Sequence, residues 1–128
     1  MLCQYIGSTM NKIRILTSVL ALTIADFTYS DTVTCNSIYI KVVSIQGDRD
    51  DNMGFANHLI LSFKDKNGSA KNCGGAPYAH LSLNHPAAGQ LHANALAAKM
   101  ANSEVNVLVN TNKKISTISN QLAVVGIQ

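Results

Sequence analysis

Between His92 and Val109, in the stretch HANALAAKMANSEVNVLV, the chain changes period across only four residues. Ahead of Ala101-Asn102-Ser103-Glu104, the residues Ala93, Leu96, Ala97 and Met100 recur at the spacing of one buried helical stripe. Pro86 is acceptable as a first helical position, so a helix is expected from there to the join. After the join, Val105, Val107 and Val109 alternate as the residues of a strand do. One helix therefore packs one face, and its small alanine side chains let it lie close against a sheet.

The rest of the chain supplies that sheet in short pieces. Ser37 to Gln46, SIYIKVVSIQ, puts Ile38, Ile40 and Val42 on one face and Tyr39, Lys41 and Val43 on the other. GDRDDNMG, residues 47 to 54, interrupts it, and His58 to Lys64 resumes the alternation with Leu59, Leu61 and Phe63. Asp65-Lys66-Asn67-Gly68 is a hairpin turn, because Asn and Gly tolerate the positive φ that such turns require. A short strand runs to Cys73, and Gly74-Gly75-Ala76-Pro77 breaks it before another at Tyr78 to Leu83. After the helix and the valine strand, Asn110 to Lys114 reads as a turn and Ile118 to Ile127 as the last strand. The order of strands, one helix and two closing strands predicts a mainly β fold with one helix, a five-stranded OB barrel. An antiparallel α+β sheet covered by one helix is the alternative.

The amino end has a different grammar. Asn11-Lys12-Ile13-Arg14 is a basic start, ILTSVLALTI from Ile15 to Ile24 is an apolar run, and small residues follow, the order of a secretory signal peptide. That run is half of the roughly 20 apolar residues a spanning helix needs, so the mature form is expected to have no integral membrane segment. Cleavage fits after Ala25 or, preferably, after Ser30, and Met10 is a more ordinary start than Met1. The expected organisation is residues 1–30 as extension plus signal and 31–128 as one domain, secreted or periplasmic. Removing 1–30 leaves Cys35 and Cys73, an even count in an exported chain, which predicts a disulfide.

Charge and site chemistry exclude more than they assign. The mature region carries eight basic and six acidic residues, without Trp, a basic stripe or interleaved aromatics, so nucleic acid is not an expected partner. His58, His80, His85 and His92 lack the spacing of a metal site and read as surface or capping residues. Asp48, Asp50 and Asn52 match the first positions of a calcium loop, yet Met53 stands where Gly is needed and Leu59 where the bidentate Glu belongs. No paired carboxylates at catalytic spacing and no free nucleophilic thiol remain, so no enzyme, metal or cofactor is expected. The residues best suited to a ligand are Asp48, Arg49, Asp50 and Asn52, whose polar groups could meet sugar hydroxyls, with Tyr78 as a stacking ring or an ordinary strand tyrosine.

Several of these segments also carry a resemblance. Asp31-Thr32-Val33-Thr34-Cys35 after an export signal, a second Cys near mid-chain, Gly89-Gln90 leading to Ala95-Leu96-Ala97-Ala98-Lys99, and Val105-Asn106-Val107 resemble small secreted bacterial OB-fold proteins similar to the B subunits of subtilase-type and typhoid-type, pertussis-like toxins. The resemblance covers most of the mature chain. It implies a homopentameric ring with each helix turned towards a central pore, cell-surface glycans bound on the barrel, and a toxin A subunit as partner. Tyr29-Ser30-Asp31 resembles a segment whose serine helps bind sialic acid in that family, and it survives only cleavage after Ala25. Asn102-Ser103-Glu104 replaces the family's glycine-containing turn, and NTNKKISTIS lacks the cysteine often found there. The function implied is a secreted, glycan-binding, receptor-recognising component of a toxin; the alternative is a secreted protein-binding or inhibitory module on the same barrel.

Overall fold

The structure is a computed structural model and describes residues 31–52 and 54–128; the signal segment, its cleavage points and Met10 lie outside the described residues. In chain order the elements are β1 (Thr32–Gln46), β2 (His58–Lys64), β3 (Ala70–Lys71), β4 (Tyr78–Ser82), α1 (Ala88–Ala101), β5 (Glu104–Ile115) and β6 (Ser119–Ile127). β1 pairs antiparallel with both β2 and β5, β2 with β4, and β5 with β6, while β4 and β6 run parallel. Those five pairings return to their start, so β1, β2, β4, β6 and β5 close a ring and β3 hangs on the far end of β2. Closure, with the helix entering before the last two strands, is the OB arrangement rather than an open sheet under a helix.

Alternate residues from every strand of the ring fill its interior. Leu59, Leu61, Phe63, Leu81, Val105, Val107, Val109 and Leu122 are all buried there, joined by Ile38 and Ile40 from β1 and Val125 from β6. The helix adds Ala88, Leu91, Ala95 and Ala98 to this core. This corrects the expected stripe: Ala93, Leu96, Ala97 and Met100 face outward, Met100 with 86% of its surface exposed. Alanines occupy both phases of the helix, so two stripes fit the same period and contact with the barrel decides between them.

Both ends of the helix are explained locally. It starts two residues after Pro86, which stays in the preceding turn; there the Ala87 N–H donates to His85 Nδ1 at 3.1 Å and the Ala88 N–H to the His85 carbonyl at 3.0 Å. It stops because Asn102 adopts left-handed backbone, φ 48°, with its N–H directed to the Ala98 and Lys99 carbonyls. Asparagine takes that conformation more readily than most residues, which is how the join dispenses with the expected glycine.

Two further boundaries differ from the expected ones. β1 begins at Thr32 and is interrupted between Cys35 and Ile38 and again between Ile40 and Val42. The second irregularity reverses the alternation, so Val42 points out and Val43 packs against the core. β5 continues through Asn110 to Lys114 as far as Ile115, and the chain turns at 116–118, where Ser116 has φ 57°.

Cys35 and Cys73 form the expected disulfide, with Cα atoms 5.9 Å apart, and it ties β1 to the turn before β4. That turn is packed from below. The Asn120 amide donates to the Cys73 and Gly74 carbonyls, both at 3.0 Å, and Gly74 has φ 65°. A Cβ on Gly74 would sit 2.7 Å from Asn120 Nδ2, so glycine is required there by both conformation and space.

Candidate functional site

Directly opposed residues in paired strands place their side chains on one face, so the register defines the outside of the barrel. One row runs Val42, Ser62, Tyr78, Ser119, a second Ser44, Ile60, His80, Gln121, and a third Gln46, His58, Ser82. A pocket of about 310 Å³ opens on this face, lined by Val42, Ser44, Gln46, Phe55, Ile60, Tyr78 and Ile118. Phe55 comes from the loop between β1 and β2, and Ile118 from the turn between β5 and β6. Two loops thus wall a sheet floor.

The first loop is held by its own polar side chains. Asn57 Nδ2 donates to Asp48 Oδ1 at 2.7 Å, Arg49 Nε to Asp51 Oδ1 at 3.0 Å, and Arg49 Nη1 to Gln46 Oε1 at 3.1 Å. The hydrogen bond to Asp51, together with the charge of that carboxylate, raises the Arg49 pKa above its ordinary value. The Leu83 N–H donates to the Asn57 carbonyl at 2.9 Å, fastening the loop to the end of β4. Asn52 and Asn57 supply its left-handed positions, φ 57° and 58°.

Beneath Phe55 lies the least expected feature. His80 is buried on the outer face, its Nδ1 2.8 Å from Ser119 Oγ and its ring 5.6 Å from that of His58, nearly perpendicular. The Phe55 ring is 6.5 Å away. Burial first, and then the His58 charge, lower the His80 pKa to about 4, so the ring is neutral at physiological pH. His58 Nδ1 donates to the Ala56 carbonyl at 2.7 Å. His85 serves the helix start, as a capping residue would, but His80 is neither surface nor cap. Among the described residues no three His, Cys, Asp or Glu side chains come together as a metal site.

The sequence-derived site residues divide between these features. Tyr78 lines the pocket with 40% of its surface exposed. Asp48, Arg49, Asp50 and Asn52 sit in the adjoining loop and do not line the pocket; Arg49 reaches its rim through Gln46. Missing from the sequence reading are Val42, Ser44, Gln46, Phe55, Ile60 and Ile118. Alternation in SIYIKVVSIQ assigns Val42 to the inner face, and only the irregularity beside Lys41 brings Val42, Ser44 and Gln46 outside. A cup of one aromatic floor edge, one aromatic wall and aliphatic residues, with Ser44 and Gln46 as polar points, can hold a ring that has one apolar face and a hydroxyl edge.

No family model and no curated protein matches this chain. Among solved structures it is similar to a cholera toxin-like B-subunit from Citrobacter freundii, at 18% identity over 78% of this chain and 88% of that one, with a TM-score of 0.47. It is also similar to a chain of the GM1-bound ECX AB5 holotoxin, at 15% identity over 78% of this chain and 87% of that one, with a TM-score of 0.49. Among the described residues no helix is long and apolar enough to cross a membrane.

Proposed function

We propose that the protein is an exported glycan-binding module of the toxin B-subunit kind, which recognises cell-surface sugars and has no catalytic role. The observation that carries this reading is the cup around Tyr78, floored by β1, β2 and β4 and walled by the β1–β2 loop and the β5–β6 turn. OB barrels bind oligosaccharides on this strand face between these loops. The signal-like amino end supports export. Asp48, Arg49, Asp50 and Asn52 would meet hydroxyls beyond the rim, and Tyr78 would stack under the ring.

Shallow polar contacts contribute about 1 kcal/mol each, so one copy would bind weakly and a ring of copies would gain through multivalency. A homopentamer is the assembly we propose, with the outward helix face of Ala93, Leu96, Ala97 and Met100 turned to the pore, and a toxin A subunit as its cargo. Glycan-array retention of the exported protein tests the reading, with Tyr78→Ala and Asp50→Ala compared singly and together. The expected result is retention of one sugar class that drops most for Tyr78→Ala while the melting temperature holds. Undiminished retention in the double variant moves the site elsewhere. Sedimentation checks the assembly: a monomer at tens of micromolar, with no glycan retained, would favour the protein-binding module instead.

A further inference from the structure

The hairpin between β2 and β3 takes no part in the cup, and it carries a motif that sugar binding leaves unused. Asn67-Gly68-Ser69 is the acceptor pattern of N-linked glycosylation, Asn-x-Ser with a middle residue other than proline. No other asparagine of the sequence has Ser or Thr two positions on. Asp65, two positions ahead, gives the stretch the extended acid-x-Asn-x-Ser form that bacterial oligosaccharyltransferases read. We propose that Asn67 is a glycosylation site, modified during export by such a membrane transferase from a lipid-pyrophosphate-linked oligosaccharide. The proposal rests on the export in the proposed function and not on glycan binding, since this sugar is a covalent substituent of the protein and not its ligand.

Both groups that a transferase engages are accessible. Asn67, Gly68 and Ser69 are exposed, as are Lys66 before them and Ala70 and Lys71 after them. The turn is held by the backbone and by Asp65. The Gly68 N–H donates to the Asp65 carbonyl at 3.1 Å and the Asp65 N–H to the Ser69 carbonyl at 2.8 Å. Asp65 Oδ1 accepts from the Asn67 and Ser69 N–H groups, both at 2.9 Å. The Asn67 side-chain amide and the Ser69 hydroxyl take part in none of these bonds. Gly68, between them, has left-handed backbone with φ 88°, and a Cβ there would meet nothing within 4 Å, so the tip is open on that side too.

The segment that follows is easily lifted. β3 is two residues long, lies at the end of the sheet order and pairs with β2 through Ala70 opposite Lys64 and Lys71 opposite Phe63. Peeling residues 66–71 away breaks few hydrogen bonds and uncovers no buried side chain of their own, so Asn67 can enter an enzyme cleft without unfolding the barrel. In the transfer, Asn67 Nδ2 bonds to the anomeric carbon of the sugar and the anomeric C–O bond to pyrophosphate breaks. The lipid pyrophosphate leaves with that electron pair and the amide gives up a proton, with nothing oxidised or reduced. A bulky polar product fits the place: none of residues 65–69 lines the cup. Asn67 lies beyond Lys64, which is itself roughly 13 Å along β2 from Ile60 at ~3.3 Å per residue.

A mass-spectrometric peptide map of the chain from the cells that produce it tests the site. The peptide containing Asn67 should carry a hexose-containing mass increment, one glycan per chain. Asn67→Gln and Ser69→Ala should lose the whole increment, and Ser69→Thr, which keeps the hydroxyl, should retain it. The amino terminus read in the same map reports signal cleavage independently. A cleaved chain with Asn67 bare, or changed only to aspartate by the spontaneous chemistry of Asn-Gly, would overturn the site and leave export standing. A second arm incubates the purified full chain with transferase-bearing membranes and the lipid-linked donor. Modification of Asn67 there, alongside a bare and uncleaved chain in the cells, would sink the export reading and leave the acceptor site standing. No modification in either arm would overturn the site.

Discussion

The same strands present two surfaces of opposite character. On the inside of β2 and β4, Leu59, Leu61, Phe63, Ala79 and Leu81 are each at most 1% exposed. On the outside, the intervening His58, Ile60, Ser62, Tyr78 and His80 mix rings, hydroxyls and an aliphatic side chain, and their exposure ranges from buried to 40% for Tyr78. The inner set is uniform because a closed barrel admits no water and must fill its volume with apolar side chains. The outer set can vary because loops cover it only in part. Stability and recognition are thereby assigned to alternate residues of one backbone, and substitutions one position apart should separate them.

The largest expected effect tests what holds both surfaces in place. The Cys35–Cys73 bridge spans 38 positions, and the loop-entropy model gives it about 4 kcal/mol. Denaturant unfolding with and without reductant should show a loss of that order.

Next comes the inner face against its neighbour. Leu61→Ala should cost about 3 kcal/mol, because it leaves a cavity in a closed core, whereas Ser62→Ala should stay within about 0.5 kcal/mol. Equal losses in chemical denaturation would break the distinction between the two faces.

His80 is where the outer face behaves like the inner one, and pH exposes it. An unfolded histidine takes up a proton near 6.5, but His80 in the folded protein does so only near 4. Between those values the unfolded state binds more protons, so the contribution is fully present above about pH 6.5 and is lost as pH falls towards 4. The loss should total on the order of 2 to 3 kcal/mol. The difference in unfolding free energy between wild type and His80→Gln, followed from pH 7 to 4, isolates it from the carboxylates; a pH-independent difference would contradict the neutral, buried ring.

The smallest expected effect on stability belongs to Tyr78. Tyr78→Phe should shift unfolding by less than about 0.5 kcal/mol and weaken sugar binding by about 1 kcal/mol, read by thermal melting and array retention.

Much of this architecture was legible along the chain. Leu59, Leu61 and Phe63 alternate inward as written, Asp65 to Gly68 turns as its residues demand, and the Ala-rich run is a helix that gives way to the valine strand at Asn102. The disulfide followed from an even cysteine count after an export-like start. Tyr78, read from the sequence as a stacking ring or an ordinary strand tyrosine, lies on β4 and borders the pocket with 40% of its surface exposed. The loop from Asp48 to Asn52 was visible as polar, but its bonds from Asn57 to Asp48 and from Arg49 to Gln46 and Asp51 depend on where the chain folds back.

What the sequence determined by itself was local: periods, turns, a cap and the order of elements, each set by residues within a few positions of one another. Tertiary structure decided which of two alanine-containing stripes meets the barrel, since both fit the helical period and only packing against β1, β2 and β6 distinguishes them. It also decided that Val42, Ser44 and Gln46 face outward, because a single unpaired residue at Lys41 reverses every later side chain of β1, and pairing with β2 is what creates that irregularity. The cup itself is wholly of this second kind: Phe55, Tyr78 and Ile118 are far apart in the chain and become neighbours only when the five strands close.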